Sequence, residues 1–274
     1  MNKKQGILYG VGVGPGDPEL LTLKAVRVLK ACPVVAAPRT REGRSLALDI
    51  ARGAVDLTEK SLLFLDFAMS RSERTLADTH RLAARQVLEQ LAAGQDVALL
   101  TLGDVSVYSS FCYVMDLVRV AGYETVMIPG VPSFCASSAA LGRSLTEMNE
   151  PLHILPAGGR LSLPEALALP GTKVLMKAGR QLPQVVAELE QRGLADTSAL
   201  VMNCGLPDQQ LCPTLHEYQG QTGYFATLLV GDLSRAWIDP VPSRLPQAGA
   251  ECRSSGHLCT VLLTDSNFHA AQNL

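Results

Sequence analysis

What this chain has little of narrows its function before any motif is read. Aromatic residues make up only 5% of it, with one tryptophan, so its 47% apolar content is mainly Leu, Ala and Val, as in an ordinary α/β enzyme. There is no excess of positive charge: 24 Lys and Arg stand against 26 Asp and Glu, a net charge of −2. That excludes the broad nucleic-acid affinity that a basic surplus would give. No apolar run approaches the ~20 residues of a membrane span. The start, Met-Asn-Lys-Lys-Gln-Gly, leads into a strand and not a signal segment, so the chain reads as cytoplasmic. The seven cysteines (Cys32, Cys112, Cys135, Cys204, Cys212, Cys252 and Cys259) stand singly, without a Cys-x-x-Cys pair, and the five histidines are scattered. That spacing argues against a zinc or iron–sulfur site, and most cysteines read as small buried hydrophobes in a reducing compartment. No Gly-x-Ser-x-Gly elbow occurs, which removes serine hydrolysis.

What is present begins with glycine. In Leu8–Leu29, Gly10, Gly12, Gly14 and Gly16 alternate directly after an apolar run. A dinucleotide fingerprint needs glycines at relative positions one, three and six. Counting from Gly10 puts Pro15 sixth, and counting from Gly12 puts Asp17 there, so neither register fits. The stretch predicts a buried strand, a tight loop built for some other ligand or a purely structural turn, and then a helix. Asp17 is the expected N-cap, Pro18 the first helical residue and Glu19 a favourable first-turn charge.

Strands and helices then alternate through the first half, which predicts a parallel sheet there, covered on both faces. Cys32–Pro38 reads as a strand, followed by Arg39, Arg41 and Arg44 on a polar loop, and Glu73–Gly94 as a long amphipathic helix. A second set of elements begins near Pro151 and ends near Asp232. The expected organisation is an N-terminal α/β domain over 1–148, a C-terminal α/β domain over 149–233, and an irregular tail over 234–274 in which residues 258–263 are the one apolar run.

Ligands in open parallel sheets bind beyond the carboxyl ends of the strands. Three polar turns fall there: Gly12–Pro18, Thr101–Ser110 and Ile128–Ser138. Asp104 follows an apolar strand directly; it reads as an N-cap for a helix beginning near Ser106, or as a carboxylate with a ligand to hold. His153, within an apolar strand, reads as a satisfied core histidine.

Those three segments, in that order, resemble the tetrapyrrole (corrin/porphyrin) methyltransferases. The run Gly-Asp-Val-Ser-Val-Tyr-Ser-Ser-Phe is similar to that of the C20-methyltransferases acting on precorrin-2 or cobalt-factor II in cobalamin biosynthesis. Val174–Arg180, Asn203–Gln209 and Tyr224–Gly231 extend the resemblance to roughly residues 6–233. It implies a two-domain α/β class III methyltransferase with S-adenosylmethionine in the cleft between domains, released as S-adenosylhomocysteine. It also implies a homodimer, with no nucleic-acid or membrane partner, and a tetrapyrrole substrate that alone would carry any cobalt; no metal site is expected in the chain. By similarity, Pro15, Leu102, Gly103, Asp104, Ser106, Val107, Pro132, Ser133, Met176, Lys177, Tyr224, Phe225 and Ala226 would border the donor. Gly14, Gly16, Asp17, Arg39, Arg41 and Arg44 would face the carboxylate-rich substrate, with Arg71 and Arg74 weaker candidates. No catalytic base is assigned, Asp104 being only a weak candidate. Two positions depart from the family: Pro132 where relatives commonly carry Thr, and Asn203 where this branch often has Arg. The alternatives are methylation at another ring position, a non-catalytic tetrapyrrole carrier, and a reductase that binds NADP through Arg39 and Arg41.

Overall fold

The computed structural model describes residues 5–40, 42–68, 72–220, 223 and 225–231. Tyr224, Arg41, Arg71 and the tail expected over 234–274, with its apolar run, lie outside the described residues.

The first half builds a five-stranded sheet in the order β3-β2-β4-β1-β5 from β1 (Leu8–Gly12), β2 (Val34–Arg39), β3 (Ser61–Asp66), β4 (Val97–Thr101) and β5 (Thr125–Ile128). Every pairing is parallel. The alternation of side chains decides which helices cover which face. Val11, Ala98 and Leu100 pack with α1 (Leu23–Ala31) and α2 (Leu46–Ala54). Leu8, Val97 and Leu99 pack on the other face with α3 (Glu73–Ala92) and α4 (Phe111–Val120). Gly10 leaves room for that second layer: a Cβ there would stand 2.4 Å from the ring of Phe111.

The helix after β1 starts later than the sequence pattern implies. Asp17 accepts from the Glu19 N–H, but Pro18–Leu20 is only a 3-10 turn. Thr22 then caps α1 by accepting from the Ala25 N–H at 3.1 Å. Likewise no helix begins near Ser106; α4 starts at Phe111. Arg39 is the last residue of β2 and not part of the loop beyond it.

The second half is a mixed sheet, not a parallel one. Its order is β6-β7-β10-β8-β9, from β6 (Leu152–Pro156), β7 (Thr172–Met176), β8 (Ser198–Met202), β9 (Gln210–Cys212) and β10 (Ala226–Val230). Only β6 and β7 are parallel; β10 runs antiparallel to β7 and β8, and β9 antiparallel to β8. One face carries α6 (Leu163–Leu167) and α7 (Leu182–Gln191). The capping box of Ser162 and Glu165 starts α6.

The other face is covered by α5 (Ser133–Ala140), which follows β5 of the first sheet. Phe134 of α5 packs against Val174 and Leu229, and Ala136 against Val201 and Cys204. The small residues of this helix let it approach the second sheet closely. Because α5 belongs to both halves, all described residues fall in one compact unit.

His153 is half-buried on the edge strand β6, and its Nε2 has no hydrogen-bond partner, contrary to the expectation of a satisfied core histidine. Its cross-strand neighbour Lys173 is buried and gives its amine to the Leu169 carbonyl instead.

Candidate active site

The order of the first sheet creates a crevice. The chain leaves β1 towards β2, on one side, and leaves β4 towards β5, on the other, although β1 and β4 are neighbours. Such a switch point opens space beyond the carboxyl ends of the two strands. The loops that follow β1 and β4 border a cavity there, and the opposite wall comes from the second sheet.

The glycines close the floor of this crevice, and the atoms they approach are protein atoms. The Gly14 and Gly103 N–H groups donate to each other's carbonyls, at 3.2 and 2.8 Å. A Cβ on Gly130 would lie 2.3 Å from the Gly103 carbonyl oxygen and 2.8 Å from Gly12. One on Gly16 would lie 2.5 Å from the Cys204 carbonyl oxygen, which brings the first loop onto the second half. Gly14 and Gly16 are buried, and of this loop only Pro15 reaches the cavity. Asp17 is engaged in its 3-10 cap.

From the β4 loop, Leu102, Gly103, Asp104 and Val107 line the cavity. Asp104 Oδ1 accepts from the Ser106 N–H at 2.8 Å and from the Ser106 hydroxyl, while Oδ2 accepts from the Gly130 N–H at 2.8 Å. Burial opposes the charged carboxylate, but the Ser106 hydroxyl and the two backbone donors outweigh it, and the pKa is lowered. Ser106 itself does not line the cavity; it acts through Asp104. Asp104 therefore joins the loops after β4 and β5, the place where the sequence pattern put a helix cap.

Pro132 and Ser133 bring the start of α5 to the cavity. Pro132 occupies the N-cap position, and no side chain caps the helix. The departure from Thr thus falls where a hydroxyl would cap. Ser133 Oγ stands 3.4 Å from Thr227 Oγ1 of β10, another wall residue that the sequence reading missed. Met176, Lys177, Phe225 and Ala226 complete the far wall with Cys204, and Tyr108 joins from the β4 loop; the sequence reading missed both Cys204 and Tyr108. Lys177 stands directly after the apolar strand β7, and that position is its signal; Tyr108 and Cys204 lie inside motifs already singled out, but nothing in their spacing marks them as wall residues. The Lys177 amine is desolvated among these groups, which lowers its pKa.

Asn203 does not line the cavity. It sits in left-handed backbone (φ 52°), a conformation asparagine tolerates, and its amide donates to Asp208 at 2.7 Å.

The arginines are arranged differently from the expectation. Arg39 binds Asp66 through two parallel hydrogen bonds of 2.8 and 2.9 Å, at the edge of the sheet. Its guanidinium fork is committed to a carboxylate of the protein. Arg44 and Arg74 are exposed. None of these three borders the cavity. A separate cavity beyond β6 and β7, floored by Leu175 and Ala166, has no ionisable residue in its lining among the described residues. Among the described residues, no three His, Cys, Asp or Glu side chains group to hold a metal ion, and no helix is long and apolar enough to cross a membrane.

Comparison with known proteins agrees with this geometry. Residues 7–218 match the family of tetrapyrrole (corrin/porphyrin) methylases. A precorrin-2 C(20)-methyltransferase of Sinorhizobium is 30% identical over 82% of this chain and 95% of its own. A probable cobalt-precorrin-2 C(20)-methyltransferase of Methanocaldococcus jannaschii is 40% identical over 58% of this chain and 67% of its own. The chain spans about half the length (48%) of the mycobacterial cobalamin biosynthesis proteins CobIJ, to which it is 32% identical. Among solved structures, a uroporphyrin-III C-methyl transferase from Thermus thermophilus complexed with S-adenosyl homocysteine superposes with a TM-score of 0.60. It is 26% identical, over 84% of this chain and 94% of its own.

Proposed function

From the premise that the chain belongs to the tetrapyrrole (corrin/porphyrin) methylases, we propose that it methylates C20 of a precorrin-2-type tetrapyrrole, as a step of cobalamin biosynthesis. The observation that carries this reading is the likeness to C(20)-methyltransferases along nearly their whole length. The substrate would be precorrin-2 or its cobalt-loaded form, cobalt-factor II, with the metal belonging to the substrate. The reading also carries two domains, over 1–148 and 149–233, a homodimer and a cytoplasmic location.

The residues of the cavity suit S-adenosylmethionine. Pro15, Leu102, Val107, Met176 and Ala226 give an apolar surface for the adenosine part. The uncapped start of α5 and the Lys177 amine give a positive field for the donor's carboxylate. When bound, S-adenosylmethionine supplies an activated methyl group on a sulfonium centre. The protein's part is then alignment in a dry cleft, where effective molarity supplies ~7–11 kcal/mol. Asp104 suits fixing the loops better than accepting the C20 proton, because three donors occupy its oxygens and its lowered pKa makes it a weak base. Arg39 would meet substrate carboxylates only by exchanging Asp66 for them.

The test is mass spectrometry of tetrapyrrole products after anaerobic incubation with S-adenosylmethionine, with precorrin-2 and cobalt-factor II supplied in parallel. Gain of one methyl on either is expected, and the preferred substrate assigns the metal state. No methyl on either, with no binding of the donor, would sink the reading.

A further inference from the structure

Two bulky residues in left-handed backbone meet at the cavity, and nothing above uses them together. Tyr108 (φ 49°) lies in the loop after β4, and Lys177 (φ 58°) follows β7. For side chains of this size that conformation is unfavourable and persists only where the surroundings hold it. What holds it is visible. The Tyr108 hydroxyl donates to the Ile154 carbonyl of β6 at 3.0 Å. The Lys177 Nζ stands 5.2 Å from the centroid of the Tyr108 ring, within reach of a cation–π interaction, and 3.5 Å from the Tyr108 carbonyl oxygen. One loop of the first half is thereby tied at three points to two adjacent strands of the second.

Packing does not demand this arrangement. Tyr108 belongs to none of the apolar clusters that hold the sheets together, and it remains 44% exposed. Yet both residues border the cavity, one from the loop after β4 and one from the end of β7. We propose that Tyr108 and Lys177 form a strap that fixes the spacing of the cavity walls, and that Tyr108 is a positioning residue for the methyl donor. The donor's part in this rests on the function proposed above; the strap itself does not. Ring and ammonium act as one device, because removing either frees the same loop.

The test uses the full chain with Tyr108→Phe, Tyr108→Leu, Lys177→Met and the Leu/Met double variant. Hydrogen exchange is followed without ligand, and S-adenosylhomocysteine binding is measured by calorimetry. In Tyr108→Leu, exchange in segments 104–110 and 152–158 should quicken about tenfold and S-adenosylhomocysteine should bind about tenfold more weakly. Tyr108→Phe, which keeps the ring and loses only the hydroxyl bond, should fall between it and the natural protein. In exchange, the double variant should be no faster than the faster single one. Unchanged exchange in Tyr108→Leu, or additive increases in exchange rate in the double variant, overturns the strap. Faster exchange with S-adenosylhomocysteine affinity kept within twofold overturns the positioning role. Failure of the natural protein to bind S-adenosylhomocysteine at all overturns the donor site, while the exchange arm still decides the strap.

Discussion

At the scale of single residues, Asp104 concentrates the electrostatics of the site. Its carboxylate is more acidic in the folded protein than in an unfolded chain, because Ser106 and Gly130 donate to it despite its partial burial. The sign of the consequence follows. A depressed folded pKa contributes stability that is fully present above the unfolded value and is lost as pH falls through the folded one. Asp104→Asn presents an amide where two backbone N–H groups and a hydroxyl need acceptors, so it should cost on the order of 1 kcal/mol at neutral pH. The gap in melting temperature between variant and natural protein should narrow as pH is lowered through the carboxylate range. Thermal melts from pH 7 to pH 3 check this; a gap independent of pH would remove the carboxylate charge from the account. The spacing of residues marks Asp104 as special, but its partners are not legible there. Gly130 lies 26 positions away and meets Asp104 only because β4 and β5 flank β1 in the sheet.

At the scale of elements, Gly12 and Gly16 act by letting backbones touch. Gly12, Gly103 and Gly130 come from the ends of three neighbouring strands, and a Cβ on Gly12 or Gly130 would run into the backbone of the other two. Gly130→Ala must push the Gly103 carbonyl or the Gly12 backbone aside, and neither is a flexible side chain. It should lower stability by about 2 kcal/mol or more. Gly122 offers the contrast: its φ is 87°, but a Cβ there meets nothing within 4 Å. Gly122→Ala should cost only its backbone conformation, about 1 kcal/mol. Urea unfolding midpoints of the two variants test the order, and equal losses would mean that close approach is not what Gly130 provides. The elements themselves were largely legible, since apolar runs and caps mark them locally. The errors also have local causes. Asp17 and Pro18 carry the signals of a helix start but begin only a 3-10 turn, and Thr22, with a hydroxyl equally able to cap, begins α1.

At the scale of the whole molecule, the cavity exists only because two sheets share α5. Binding there draws on both sheets at once, so a ligand should raise the stability of the folded unit as a whole. At 100 times its dissociation constant, S-adenosylhomocysteine would add about 2.7 kcal/mol, or roughly 5–10 °C for a unit of this size. Differential scanning calorimetry should show one transition moving upward; two transitions of which only one moves would place the ligand within a single half. The strap of Tyr108 and Lys177 belongs to this scale as well, since its three ties link residues at least 46 positions apart.

The sequence by itself determined the α/β character, the strand–loop–helix units and the motifs that border the cavity, because strand period, helix period and turn chemistry are written in neighbouring residues. It also carried the family resemblance, because those motifs keep their order along the chain. Only the tertiary structure decided that Gly14 and Gly16 face protein backbone, that Arg39 is bound to Asp66, that the second sheet is mixed, and that Tyr108, Cys204 and Thr227 join the wall. Each of those outcomes depends on contacts between residues distant in sequence. Strand order and the docking of α5 create such contacts, and no local pattern of residue types encodes them.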